Sequence, residues 1–242
     1  MDVRTVAVIG AGTMGAGIAQ VCAQTGWQTR LYDAFPEGLE KGMNTIDTFW
    51  EKGIARGKTT EEQKAKWSAN ITQSTDLKES VDSVDLVIEA VPENMQLKQQ
   101  IFGQLEEMAP SHALLATNTS GLPISAIAES TNCSERVIGM HFFNPVPIMK
   151  LLEIVRHDSC SDDTIAAAQS IGSAMGKETI LDFKTGNKPR RDEWNDEYYL
   201  QLGAYSLAHD KVYGTNIKQG VILLCTKAVS YTHLTLPTIY SV

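Results

Sequence analysis

The chain has 242 residues, 43% of them hydrophobic and 21% charged, with a formal net charge of −8. That is room for one large domain, or one and a half ordinary ones, with a substantial core. The acidic balance argues against general attraction to nucleic acid, and no run approaches the roughly 18 apolar residues of a membrane span.

In chain order, Thr5–Ile9 (TVAVI) is a continuous β-branched run, which predicts a buried parallel strand. Residues 10–17 turn sharply into a helix over 18–25, where Ile18, Val21 and Cys22 recur at helical spacing. Residues 27–32 make the next strand, ending at Asp33, and helices are expected over 37–53 and 60–68. A third strand is expected over 84–91 (VDLVIEAV), a helix over 95–108, a fourth strand over 113–117 and a short helix over 124–129. Two more strands, 137–142 and 151–155, precede a helix over 162–175. Strands alternating with helices predict an α/β fold with a doubly wound, mostly parallel sheet. The N-terminal MDVRTVAVIG lacks the basic and apolar blocks of a secretory leader. Cys22, Cys133, Cys160 and Cys225 are scattered without CxxC pairs, so reduced thiols, a cytoplasmic location and no metal site are expected.

The first chemistry lies in VAVIGAGTMGAG. Gly10 allows a tight turn, Gly12 lets backbone approach a pyrophosphate, and Gly15 lets helix pack on strand. With Ala11, Thr13 and Met14 these residues form the expected phosphate loop, whose helix N-terminus offers free N–H groups and partial positive charge. Asp33 closes the second strand, where a carboxylate accepts bonds from ribose hydroxyls and repels the extra phosphate of NADP. NAD is therefore the expected cofactor of a Rossmann-like domain.

Three later stretches follow strands: EAVPENMQLK at 89–98, NTSGLP at 118–123 and HFFNPVPIMKLLEI at 141–154. Asn118, Thr119 and Ser120 are small hydrogen-bonding groups after an apolar strand. His141 ends another strand and Glu153 lies in the adjoining one. An imidazole that takes an alcohol proton as hydride leaves the same carbon is a general base, and a carboxylate on its other nitrogen orients it.

Together these motifs, in order and spacing, make residues 1–180 resemble the NAD-binding domain of the L-3-hydroxyacyl-CoA dehydrogenases, the bacterial 3-hydroxybutyryl-CoA type in particular. The resemblance implies an oxidoreductase of fatty acid β-oxidation that moves hydride between NAD and C3 of an acyl-CoA thioester. It implies His141 as base, Glu153 as its orienting partner and Ser120 bonded to the substrate's 3-oxygen. Asn144 would hold both His141 and the cofactor ring, with Glu93 and Lys98 flanking the cofactor. Lys41, Lys52, Arg56 and Lys58 are candidates for coenzyme A, but such a run is more often a solvated face. A cofactor-binding module without catalysis remains an alternative.

After Ile180 the reading changes. The family continues with a strand and an all-helical domain that supplies the dimer contact and a wall of the acyl pocket. Here residues 181–227 instead resemble the C-terminal part of RecB-like PD-(D/E)XK nucleases, through Asp182-x-Lys184, TGNKPR, Gln201 and Tyr205. Tyr198, Tyr199, Tyr205, Tyr213, Tyr231 and Tyr240 also lie beyond this point. Residues 228–242 resemble neither parent, although the alternation in THLTL suits an edge strand. The chain thus reads as a chimera: a dehydrogenase domain over 1–180 and a short foreign α+β tail, with activity impaired by the missing helical domain. The tail holds only half of a metal site, so no nuclease activity and no nucleic-acid partner are expected; a fragment of a metal-dependent nuclease fused to a dehydrogenase N-terminus is the second alternative.

Overall fold

The computed structural model describes residues 2–183, 221–224 and 232–235. The chain divides into two compact units, Met1–Thr185 and Gly186–Val242.

The first unit runs β1 (Thr5–Ile9), α1 (Thr13–Thr25), β2 (Gln28–Tyr32), α2 (Pro36–Ala55), α3 (Glu61–Ser68), β3 (Ile71–Ser74), α4 (Leu77–Val81) and β4 (Leu86–Glu89). It continues with α5 (Met95–Met108), β5 (Leu114–Thr117), α6 (Ile124–Ala128), β6 (Val137–Phe142), β7 (Leu151–Arg156), α7 (Asp162–Ala174) and β8 (Glu178–Phe183). The strands form one sheet in the order β3-β2-β1-β4-β5-β6-β7-β8. Neighbours are parallel except β6 and β7, so β7 and β8 run against the rest.

Period-2 alternation assigns each strand's side chains to two helical layers. Val6, Val8, Leu86, Ile88, Leu114 and Ala116 face one core with Ile18 and Cys22 of α1, Trp50 of α2 and Ile171 of α7. Ala7, Ile9, Val87 and Leu115 face the other, with Phe102 and Leu105 of α5 and Ile127 of α6. The doubly wound sheet expected from the sequence is therefore present. Among the described residues no helix is long and apolar enough to cross a membrane.

Four details differ from the sequence reading. The first helix begins at Thr13 rather than residue 18, which places Gly15 inside it. β3 and α4 went unread, being short and largely polar. The strand over 84–91 shortens to end at Glu89. Finally, β8 runs through position 180 and pairs with β7 along its whole length, from Leu151↔Glu178 to Arg156↔Phe183.

In the second unit, β9 (Val221–Leu224) and β10 (Thr232–Thr235) pair antiparallel, with Thr232 opposite Leu224. Of the nuclease-like positions, Asp182 lies on the β8 backbone opposite Val155. Lys184, Gln201 and Tyr205 lie outside the described residues.

Candidate active site and dinucleotide cleft

Strand order reverses between β1 and β4, so the loops after them lead to helices on opposite faces and leave a crevice. A cavity of about 730 Å³ occupies it, lined by Gly12, Thr13, Asp33 and Phe35 on one side and by Val91, Pro92, Leu97 and Gln100 on the other.

The three glycines of the loop answer to different demands. Gly10 has φ +103°, and a Cβ there would lie 2.8 Å from the Ala90 carbonyl oxygen. A Cβ on Gly15 would fall 1.7 Å from the Gly10 oxygen, so helix and strand touch only because the residue has no side chain. A Cβ on Gly12 would meet nothing within 4 Å. Its smallness serves no contact inside the protein, which fits a ligand drawn against the backbone. Gly12 is also the N-cap of α1, with no side chain bonded to the helix end. The donors there remain open toward the cleft, as a pyrophosphate requires.

Asp33 sits at the rim. Its Oδ2 accepts from the Ala11 N–H at 2.9 Å and its Oδ1 from the Phe35 N–H at 3.0 Å. The carboxylate thus both caps its own turn and holds the phosphate loop, and it faces the cavity where a ribose would lie. Phe35, 69% exposed, adds a flat apolar wall that the sequence reading passed over.

A buried polar cluster shapes the other lip. Glu89, fully buried at the end of β4, accepts from the Lys98 ammonium at 2.7 Å, the Val91 N–H at 2.7 Å and the Thr117 hydroxyl at 2.7 Å. The side chain of Lys98, expected beside the cofactor, is 1% exposed and turns inward to Glu89, so it shapes the loop after β4 from beneath. Glu93 receives the Thr119 hydroxyl and the N–H groups of Ser120 at 3.2 Å and Gly121 at 3.3 Å. Burial works against its charge. The Thr119 bond, the Lys98 ammonium and the two backbone donors outweigh that and hold it below the usual carboxylate range. Glu93 therefore clamps the turn that carries Ser120. Glu89 and Thr117 went unremarked in the sequence, although an acid closing the apolar run LVIE is itself a signal.

His141 and Glu153 are direct partners across the antiparallel β6–β7 pair. His141 Nδ1 lies 2.8 Å from Glu153 Oε2, with side chains 18% and 2% exposed. A carboxylate at Nδ1 keeps the proton there and leaves the Nε2 lone pair to act as a base. The Phe143 ring packs against the imidazole, centroids 4.6 Å apart. Asn118 rather than Asn144 ties this strand end down, its Oδ1 accepting from the Phe142 N–H at 2.8 Å. Asn144 is exposed and begins the loop after β6. Lys41, Lys52, Arg56 and Lys58 are exposed along α2 and the turn after it. Burial pushes the Cys160 thiol up to about 11 and Cys22 higher still, which keeps both unreactive.

Comparison with known proteins gives the site a context. The family model for the NAD-binding domain of 3-hydroxyacyl-CoA dehydrogenase matches residues 5–184. A probable 3-hydroxybutyryl-CoA dehydrogenase of Bacillus subtilis is 41% identical over 180 residues, covering 74% of this chain and 62% of that protein. The 3-hydroxyadipyl-CoA dehydrogenase of Escherichia coli K12 is 40% identical over 180 residues, covering 74% of this chain and 38% of that protein. The crystal structure of (S)-3-hydroxybutyryl-CoA dehydrogenase from Ralstonia eutropha superposes with a TM-score of 0.75 at 34% identity, covering 87% of this chain and 73% of that one. The chain spans less than two thirds of the length of these curated relatives.

Proposed function

Since the chain belongs to the family of 3-hydroxyacyl-CoA dehydrogenase NAD-binding domains, we propose that residues 1–180 form the half-site at which a 3-hydroxyacyl-CoA thioester exchanges hydride with NAD. The observation that carries this reading is the His141–Glu153 pair at the end of a strand beside an open dinucleotide crevice. Bound NAD would accept or return the hydride at C3. The phosphate loop over Gly10, Ala11, Gly12, Thr13, Met14 and Gly15 would hold its pyrophosphate, and Asp33 its ribose.

His141 Nε2 takes the proton of the 3-hydroxyl as hydride leaves C3. Glu153 stabilises the imidazolium through Nδ1. Ser120 would bond the 3-oxygen, and Asn144 would help hold His141 and the cofactor ring. Glu93 and Lys98 act behind them, through the turns they fix. Residues 181–227 are read as a nuclease-like segment on the strength of Asp182, Lys184, Gln201 and Tyr205, and residues 228–242 as an unassigned tail.

The purified chain, followed by tryptophan fluorescence, is expected to bind NAD more tightly than NADP. Equal affinity would remove Asp33 from the site. Oxidation of NADH with acetoacetyl-CoA should fall by about 10²–10⁴-fold in His141→Gln. A variant that keeps the full rate would remove His141 from the mechanism.

A further inference from the structure

Lys177 follows α7, well past Glu153 in sequence, and its side chain is buried. Its ammonium donates to two main-chain carbonyls, Val146 at 2.6 Å and Met149 at 2.7 Å. Both belong to the loop between β6 and β7, which begins just past His141 and carries Asn144. The next residue reinforces the attachment, since the Glu178 N–H donates to the Lys150 carbonyl at 2.7 Å. Val146 is 1% exposed and presses on α1, where a Cβ added to Gly17 would lie 3.0 Å from the valine Cβ. The loop is therefore held between the phosphate-binding helix and the turn after α7. Burial pushes Lys177 down to about 8, the mark of a cation given up to neutral carbonyls rather than to a carboxylate.

The other end of the crevice is secured independently. Asp33 bonds to Ala11 and Phe35, and the bonds of Lys177 run to the β6–β7 loop. Resting on the NAD reading above, we propose that Lys177 is a positioning residue that fixes the loop carrying Asn144, and so orders the nicotinamide end of the site while leaving the adenosine end unaffected.

The test compares NAD with ADP-ribose on the full chain by calorimetric titration. Lys177→Met keeps the aliphatic stem and removes the donors. Its affinity for NAD should fall by about tenfold, the scale of having to order a released loop on binding, while ADP-ribose should bind within about twofold of the unaltered protein. If Lys177→Met does not fold, Lys177→Gln retains an uncharged amide donor group and should show the same split with a smaller drop. An equal loss for both ligands, or no loss for either, would overturn the proposal. Failure of the unaltered chain to bind either ligand would instead remove the NAD reading, and the role of Lys177 with it.

Discussion

The two lips of the crevice are built on opposite principles. At the Gly10–Gly15 lip the backbone is bent and close-packed by the protein, but its outward donors are left open and Gly12 faces empty space. At the Glu89–Thr117 lip the protein already occupies each carboxylate oxygen of Glu89, with Lys98 and Val91 on one and Thr117 on the other. The first lip is completed by a ligand, whereas the second is complete before a ligand arrives. Such preassembly suits catalysis, because groups fixed in advance need no reorganisation as charge moves.

The largest expected effect comes from breaking the finished lip. Lys98→Met leaves Glu89 buried without its cation, and urea unfolding should show a loss of about 3–5 kcal/mol. Much of that should return when Glu89→Leu is added. A loss below about 1 kcal/mol would mean that water reaches the cluster.

A smaller effect separates Lys98 from Lys177, since among the described residues Lys98 meets a carboxylate and Lys177 only carbonyls. Burial lowers Lys177 from 10.5 to about 8. Between those values the unfolded chain binds a proton that the folded chain does not, so this lysine adds stability as pH rises through the window. Its full penalty applies below about pH 8. Relative to Lys177→Met, the stability of the unaltered protein should rise by no more than about 3 kcal/mol between pH 7.5 and 10.5. A flat difference between the two urea midpoints across that range would place the amine in water.

The smallest change in stability probes the open lip. Gly12→Ala adds a methyl group into empty space at φ −64°. Folding stability should hold or gain up to about 1 kcal/mol. Affinity for NAD should nevertheless fall by about tenfold, because the methyl stands where the pyrophosphate meets backbone and a charged hydrogen bond is worth about 1.5–3 kcal/mol. Unchanged affinity in calorimetry would place the phosphates elsewhere.

The open lip was legible in the sequence because GxGxxG after a β-branched run has few other structural uses. β6 was legible to the residue, and the pairing of His141 with Glu153 followed from the family resemblance. The finished lip was less so. Glu89 was passed over inside VIEA, since nothing in a one-dimensional pattern says that Thr117 will stand opposite it. Lys98 was given to the cofactor by the family resemblance, and helix α5 turns its side chain toward Glu89 of the sheet. Direction also escaped: the period of LLEIV is the same whether β7 runs with β6 or against it. β3, reading ITQS with two exposed residues, lacked the apolar alternation that marks a strand. The change of parent was placed after Ile180. The backbone carries β8 across that position to Phe183, and the family match reaches residue 184.

The direct opposition of His141 and Glu153 in the β6–β7 ladder also bears on how this region tolerates change. Their spacing is set by the distance between neighbouring antiparallel strands, roughly 4.5–5.5 Å at Cα, and owes nothing to the length of the segment joining them. Residues 143–150 do not set that register; their own course is set separately, by the bonds of Lys177 to the Val146 and Met149 carbonyls. The acid–imidazole couple and the loop beside it are thus held by different parts of the fold, and a change in one leaves the other's anchor in place.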